Sequence, residues 1–141
     1  MGAYSYIESY VHGNRIGVLV HFTHSESLTA KIPEFIAFAR DLAMHIAALS
    51  PQCINPPDIP AELRDRELAY LAPKLDSLDA AEKLNRIEKT NRRIDSDFCL
   101  MEQPFLKNPD LTVSQLLSDT CTLLNDRIEI VRFVRWESNE T

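Results

Sequence analysis

Tyr10-Val11-His12-Gly13-Asn14-Arg15-Ile16-Gly17-Val18-Leu19-Val20-His21-Phe22 is the stretch on which the fold turns. Ile16, Val18, Val20 and Phe22 recur at every second position, which places them on one face of an extended strand. Upstream, Ala3 to Val11 alternates polar and apolar side chains in the same way. Between the runs, His12-Gly13-Asn14-Arg15 is turn chemistry, because Gly and Asn tolerate the positive φ of a tight hairpin. The segment is predicted to be a β-hairpin with one buried face.

Outward from the hairpin the period changes. His24 to Ile32 shows no clean repeat and reads as a loop. Pro33 suits a first helical position, where its missing N–H would be unpaired anyway. Phe35, Phe38, Leu42, Ile46 and Leu49 then follow at helical spacing up to Ser50-Pro51. Pro51 to Pro60 reads as an extended connector. A second helix is expected from near Pro60 to about Ala72, stopped by Pro73, and a third from about Ser77 to Met101. In the third, Leu84, Ile87, Asn91, Ile94 and Phe98 make a short coiled-coil-like seam with one polar position. Lys83, Arg86, Lys89, Arg92 and Arg93 mark its solvated side. Pro104 and Pro109 bracket another loop. Thr112 with Gln115 reads as a capping box, and Val113, Leu116, Leu117, Thr120, Cys121 and Leu124 form the stripe of a fourth helix. Arg127 to Glu137 closes the chain as a strand whose apolar pattern slips near Val131-Arg132, which suggests a bulge or two-sided burial. The expected fold is α+β, a small antiparallel sheet of hairpin plus C-terminal strand, packed with about four helices.

The 141 residues fit a single domain with one core. Fifteen basic residues against twenty-one acidic ones leave a net charge of -6, which argues against a direct nucleic-acid partner. Only Gly2, Gly13 and Gly17 occur, too few for a Walker loop or a dinucleotide fingerprint. The longest apolar run falls far short of a membrane span. Cys53, Cys99 and Cys121 are odd in number and widely spaced, and read as buried thiols of a reducing compartment.

Few residues suggest chemistry. His21 and His24, three apart on a strand, point to opposite faces and read as two surface histidines, not as a metal pair. His45 lies beside the apolar stripe of the first helix, as a hydrogen-bonded packing residue or as a contact residue on an exposed helix edge. No paired carboxylates and no Cys–His spacing emerge. The residues point to a binding or structural domain without a catalytic site or cofactor. A cryptic cysteine- or metal-dependent enzyme is the competing class.

Four stretches carry a resemblance. Tyr10 to Val20 looks like the hairpin of the elongation factor Ts family. Asp41-Leu42-Ala43-Met44-His45-Ile46-Ala47-Ala48 with Pro51 resembles that family's second signature, a D-[IL]-A-M-H-[IV]-A helix ending at a proline. Leu100-Met101-Glu102-Gln103-Pro104-Phe105-Leu106-Lys107-Asn108-Pro109, followed by Thr112 to Leu117, resembles the third. Arg132-Phe133-Val134-Arg135-Trp136-Glu137 is similar to the closing R-F-x-R-[YF]-E strand. They occur in the family's order from about Tyr4 to Glu137.

The resemblance implies the family's core, or dimerisation, domain over residues 1–141, without the small helical module that usually precedes it. That makes the chain either a fragment or a short paralogue. The implied function is guanine nucleotide exchange in translation elongation. The partner is the GTPase elongation factor Tu, in its GDP or nucleotide-free form, and a homodimer is a second implied association. In family members an apolar side chain from the loop after the hairpin wedges near the GTPase's magnesium site, and the other end of the core grips its third domain. The family's loop motif is T-D-F-V-A-R-N, and a gapless alignment sets Glu26-Ser27-Leu28-Thr29-Ala30-Lys31-Ile32 there. Leu28 replaces the phenylalanine, Ser27 the aspartate, Thr29 the valine and Ile32 the final amide, while Lys31 keeps a basic charge. Ser27, Leu28, Thr29, Lys31 and His45 are thus the candidate partner-binding residues. The same loop also reads as a drifted surface segment, in which case the chain binds elongation factor Tu or another partner without promoting exchange. The implied location is the bacterial cytoplasm or an organellar matrix.

Overall fold

The computed structural model describes residues 4–138. Ala3, which the alternation puts at the start of the first strand, lies outside them. In chain order the elements are β1 (Tyr4–His12), β2 (Ile16–His24), α1 (Pro33–Leu49), α2 (Ala61–Leu71), α3 (Ala80–Phe98), β3 (Pro104–Phe105), β4 (Asn108–Thr112), α4 (Val113–Leu124) and β5 (Glu129–Glu137). The fold is α+β, with an antiparallel sheet ordered β1-β2-β5 and a two-stranded ribbon, β3-β4. Two compact units form: one of the residues up to Ser50 together with those from Pro104 onward, the other Pro51–Gln103.

In the first unit β2 is the central strand, antiparallel to β1 on one edge and to β5 on the other. Its alternation decides what is buried. Val18, Val20, Phe22 and His24 are buried, while Leu19 is exposed on the opposite face. The hairpin turn has φ of +59° at both Gly13 and Asn14, closed by the Arg15 N–H donating to the His12 carbonyl at 3.0 Å. Two positive φ values are what a type I′ connection demands. On β5 the register slips between the Arg132–His21 and Ile130–Phe22 pairs, so Val131 is the extra residue of a bulge, the first of the two alternatives the sequence pattern leaves.

α1 lies against the buried face. Phe35 meets Phe22 edge-on at 5.7 Å and Tyr6 at 5.1 Å, and Phe38 lies 5.9 Å from Phe22. Such aromatic pairs add about 0.5–1.5 kcal/mol each beyond their burial. Pro33 opens the helix and Ser50, at φ 50°, ends it. Leu49, assigned to the buried stripe by its spacing, is 39% exposed because it lies in the last turn. Arg135 of β5 donates two hydrogen bonds to the Ala47 carbonyl, at 3.0 and 3.1 Å, tying the sheet to a carbonyl that the helix end leaves unpaired. α4 starts with the expected capping box of Thr112 and Gln115. Pro104 and Pro109 do not bracket a loop. They sit within β3 and β4, since a two-stranded ribbon leaves one edge of each strand unpaired and proline's missing N–H costs nothing there.

The second unit is mainly the α2–α3 pair. α3 begins at Ala80, later than the periodicity suggests, because the Asp79 side chain accepts from the Glu82 N–H and caps it. α2 ends at Leu71, and Pro73 sits in a 3₁₀ turn over Ala72–Leu75. The seam is only half used: Ile94 is buried but Leu84 is 58% exposed. Asn91, its polar position, accepts from Arg64 of α2 at 2.8 Å, and the same guanidinium donates to Asp95 at 2.7 Å. Arg93 bridges Glu67 and Asp97, so one member of the solvated basic face is committed to holding the helices together.

The two interior glycines separate backbone strain from space. A Cβ would meet nothing within 4 Å at either, but only Gly13 has positive φ. Gly13→Ala is expected to cost about 1 kcal/mol from the left-handed backbone, and Gly17→Ala to cost nothing. Urea unfolding checks this, and equal effects at the two positions would contradict it.

Candidate functional site

The loop from Ser25 to Lys31 leaves β2 and enters α1 through a 3₁₀ turn over Thr29–Lys31. Its backbone folds back on itself, the Thr29 N–H donating to the Glu26 carbonyl and the Lys31 N–H to the Leu28 carbonyl. The result divides the candidate residues. Ser27 and Lys31 are exposed, and Leu28 is 65% exposed. Thr29 is 1% exposed and turned inward.

What receives Thr29 is Asp126, a residue the sequence reading passed over. Its Oδ1 accepts from the Ser25 N–H at 2.9 Å and from the Arg127 N–H at 2.6 Å. Its Oδ2 accepts from the Glu26 N–H at 3.3 Å and from the Thr29 hydroxyl. Four donors fill a carboxylate's acceptor sites. Burial alone would raise the Asp126 pKa, but the bonds from Thr29, Ser25, Glu26 and Arg127 outweigh it and hold the carboxyl below its ordinary value. No sequence period marks such a residue, because its partners lie about a hundred positions upstream.

The two strand histidines do face opposite sides, and only His21 lies on the outer face of the sheet. His24 is 2% exposed, stacked on Tyr4 at 5.5 Å and packed near Phe35 at 5.9 Å. Strand β2 continues to His24 with unbroken alternation, so position 24 falls on the core side after Val18, Val20 and Phe22. Its Nδ1 lies 2.8 Å from the Glu26 carbonyl, which puts the proton on that nitrogen and braces the loop from below. His21 is half-buried.

His45 is wholly buried in α1. Its ring stacks on Phe105 at 5.6 Å and its Nδ1 accepts from the Leu106 N–H at 3.1 Å. The packing alternative describes its position, and the exposed-edge alternative does not. It therefore supports the β3–β4 ribbon, whose Leu106 is 42% exposed and whose Lys107 pairs with Asp41 at 2.7 Å.

The cysteines need a correction. Widely spaced in sequence, Cys53 and Cys99 approach to 3.6 Å between sulfurs, because the connector runs beside the end of α3. Cys99 is fully buried, while Cys53 and Cys121 are half-buried. Burial, then the Cys53 contact, pushes the Cys99 thiol up to about 12, and burial also raises Cys53. Protonated thiols are poor nucleophiles. Among the described residues, no three His, Cys, Asp or Glu side chains gather where a metal ion could be held. No helix there is long and apolar enough to cross a membrane.

Comparison with known proteins places the chain as a whole. The family model for Elongation factor TS matches residues 2–140. The chain belongs to this family of translation elongation factors. It is 41% identical over 139 residues to Elongation factor Ts of Carboxydothermus hydrogenoformans, covering 95% of this chain and 63% of that protein. With the protein of the same name from Acetivibrio thermocellus identity is 38% over 137 residues, covering 95% and 64%. With that from Desulfotalea psychrophila it is 40% over 134 residues, covering 93% and 68%. The chain thus spans somewhat under two thirds of the length of the first two relatives.

Asp126 gives the site a pH signature. A carboxyl held below its unfolded value stabilises the fold fully above that value, about 4, and loses the contribution as pH falls through the lower folded value. Asp126→Asn is expected to cost roughly 2 kcal/mol at pH 7, the scale of hydrogen bonds to a charged group. That difference from wild type should shrink steadily below about pH 4 in urea titrations. An equal difference at neutral and acid pH would count against the assignment.

Proposed function

We propose that this chain binds elongation factor Tu and accelerates its loss of GDP, with Leu28 as the apolar wedge. The observation that carries the reading is the contrast within the loop. Leu28 stands 65% exposed between segments that are anchored, with His24 and Thr29 buried on either side. An apolar side chain held outward by an anchored loop meets a partner with little ordering left to lose. Its action is differential affinity: a wedge that fits the nucleotide-free GTPase better than the GDP form shifts that equilibrium without making or breaking a bond. The family membership supports the partner, and residues 1–141 act on this reading as one core domain in the cytoplasm. Ser27 and Lys31 flank the wedge as polar contacts. His45 serves the grip on the third domain indirectly, through the Leu106–Lys107 end of the ribbon it supports. Release of a fluorescent GDP analogue from elongation factor Tu tests the proposal. The chain should accelerate release, and Leu28→Ala should slow the accelerated rate about tenfold, the loss of a buried apolar contact in the transition state. Binding without any acceleration would reduce the chain to a diverged partner of the GTPase.

A homodimer is the second reading, favoured by the outer face of the sheet. Ile7, Val11, Leu19 and Trp136 are 60%, 65%, 42% and 69% exposed there. Cross-strand pairing places Leu19 beside Val134, and His21 between Ile7 and Arg132. Ile7, Leu19, Arg132 and Val134 border a hollow of about 290 Å³. Sedimentation at two concentrations should show a concentration-dependent dimer that Leu19→Glu abolishes. A monomer at both concentrations would exclude it.

A further inference from the structure

We infer that Asp126 is the positioning residue of the exchange loop: it sets the loop's shape from the far end of the chain so that Leu28 points outward. The inference rests on the reading of Leu28 as the wedge.

Three features of the geometry support it. First, the carboxylate takes donors from both sides of Leu28: Ser25 and Glu26 before it, and Thr29 after it. A segment tied at both flanks keeps its central residue in one place. Second, the carboxylate is itself fixed. Asn125, at φ 48°, ends α4 in the left-handed conformation, and the Asp126 N–H donates to the Cys121 carbonyl at 3.1 Å. Ile128 is then buried at 3% exposure, and β5 begins its pairing at Glu129 opposite Thr23. Asp126 therefore sits between a helix end and a strand start, both held by the core. Third, two of the three loop donors are backbone N–H groups, which any residue except proline supplies. The loop's side chains can change without loosening it.

Thr29 is the exception, and it is informative. Its contribution comes from the side chain, whose hydroxyl donates to Asp126. That bond, one residue away, holds Leu28 in a narrower range of positions, reducing the conformational freedom lost when the wedge is inserted. His24 braces the same segment from beneath through the Glu26 carbonyl.

The test uses the whole chain and two readouts. Amide hydrogen exchange reports the anchor, and GDP release from elongation factor Tu reports its consequence. In Asp126→Asn the Ser25 and Glu26 amides should exchange about tenfold faster by local opening of the loop, while the Val18 and Val20 amides follow only the loss of global stability that urea unfolding of the same variant reads. The maximal rate of GDP release should fall about tenfold, with the half-maximal concentration within about twofold, because a loose loop lowers the fraction of complexes with the wedge inserted. Thr29→Val, which leaves every backbone donor in place, should fold normally and lose about threefold in maximal rate. Its effect should disappear in the Asp126→Asn background. Unchanged protection of Ser25 and Glu26 in Asp126→Asn overturns the anchor, whatever the kinetics. Lost protection with an unchanged maximal rate overturns the positioning role. A wild-type chain that does not accelerate release overturns the wedge reading itself, and that result is visible before any substitution is made.

Discussion

Everything in the larger unit depends on β2 being paired along both edges while one of its faces is sealed by α1. A strand in that position has no freedom of register. A slip of one residue would carry Val18, Val20, Phe22 and His24 to the outer face and bring Leu19 and His21 inside. Phe22 is the centre of that constraint, touching Phe35 and Phe38 of the helix and Tyr6 of the neighbouring strand. Once β2 is fixed, the points where the chain leaves it are fixed too. One end is the Gly13-Asn14 turn and the other is the loop that carries Leu28.

That loop illustrates how a short polar connection is made rigid without a core of its own. Its apolar residue faces water, so burial cannot hold it. Hydrogen bonds do so instead, from a carboxylate that is 9% exposed. A buried carboxylate is costly unless its acceptor sites are satisfied, and here the loop's own donors satisfy them. The loop and Asp126 stabilise each other, and neither conformation is economical alone. At the opposite end of the unit the relation of His45 to the β3–β4 ribbon is similar, with a buried ring and one accepted N–H carrying an exposed turn.

Periodicity made most of the architecture readable. The hairpin, α1, the capping box of α4 and even the bulge at Val131 follow from local patterns whose physical cause acts within a few residues. Reading failed where the cause is distant. The ribbon at Pro104–Thr112 has too few residues for a period to develop, and its prolines suggest a loop until the partner strand is seen. Leu84 fits a seam that its partner helix does not extend far enough to cover. Asn91, an apparent flaw in that seam, is explained by Arg64 approaching from α2.

By itself the sequence determined the hairpin and the closing strand, the existence and the apolar stripes of the four helices, and that an apolar residue, Leu28, falls in the loop after the hairpin. Those are consequences of spacing, chirality and backbone preference, which act locally. Only the tertiary structure decided that Thr29 turns inward, that His24 and His45 are buried, that Cys53 and Cys99 touch, and that Asp126 governs a loop about a hundred residues away. Those contacts join segments remote in sequence, and only the paired sheet, the packed helices and the connector running beside α3 bring them within hydrogen-bonding or van der Waals distance.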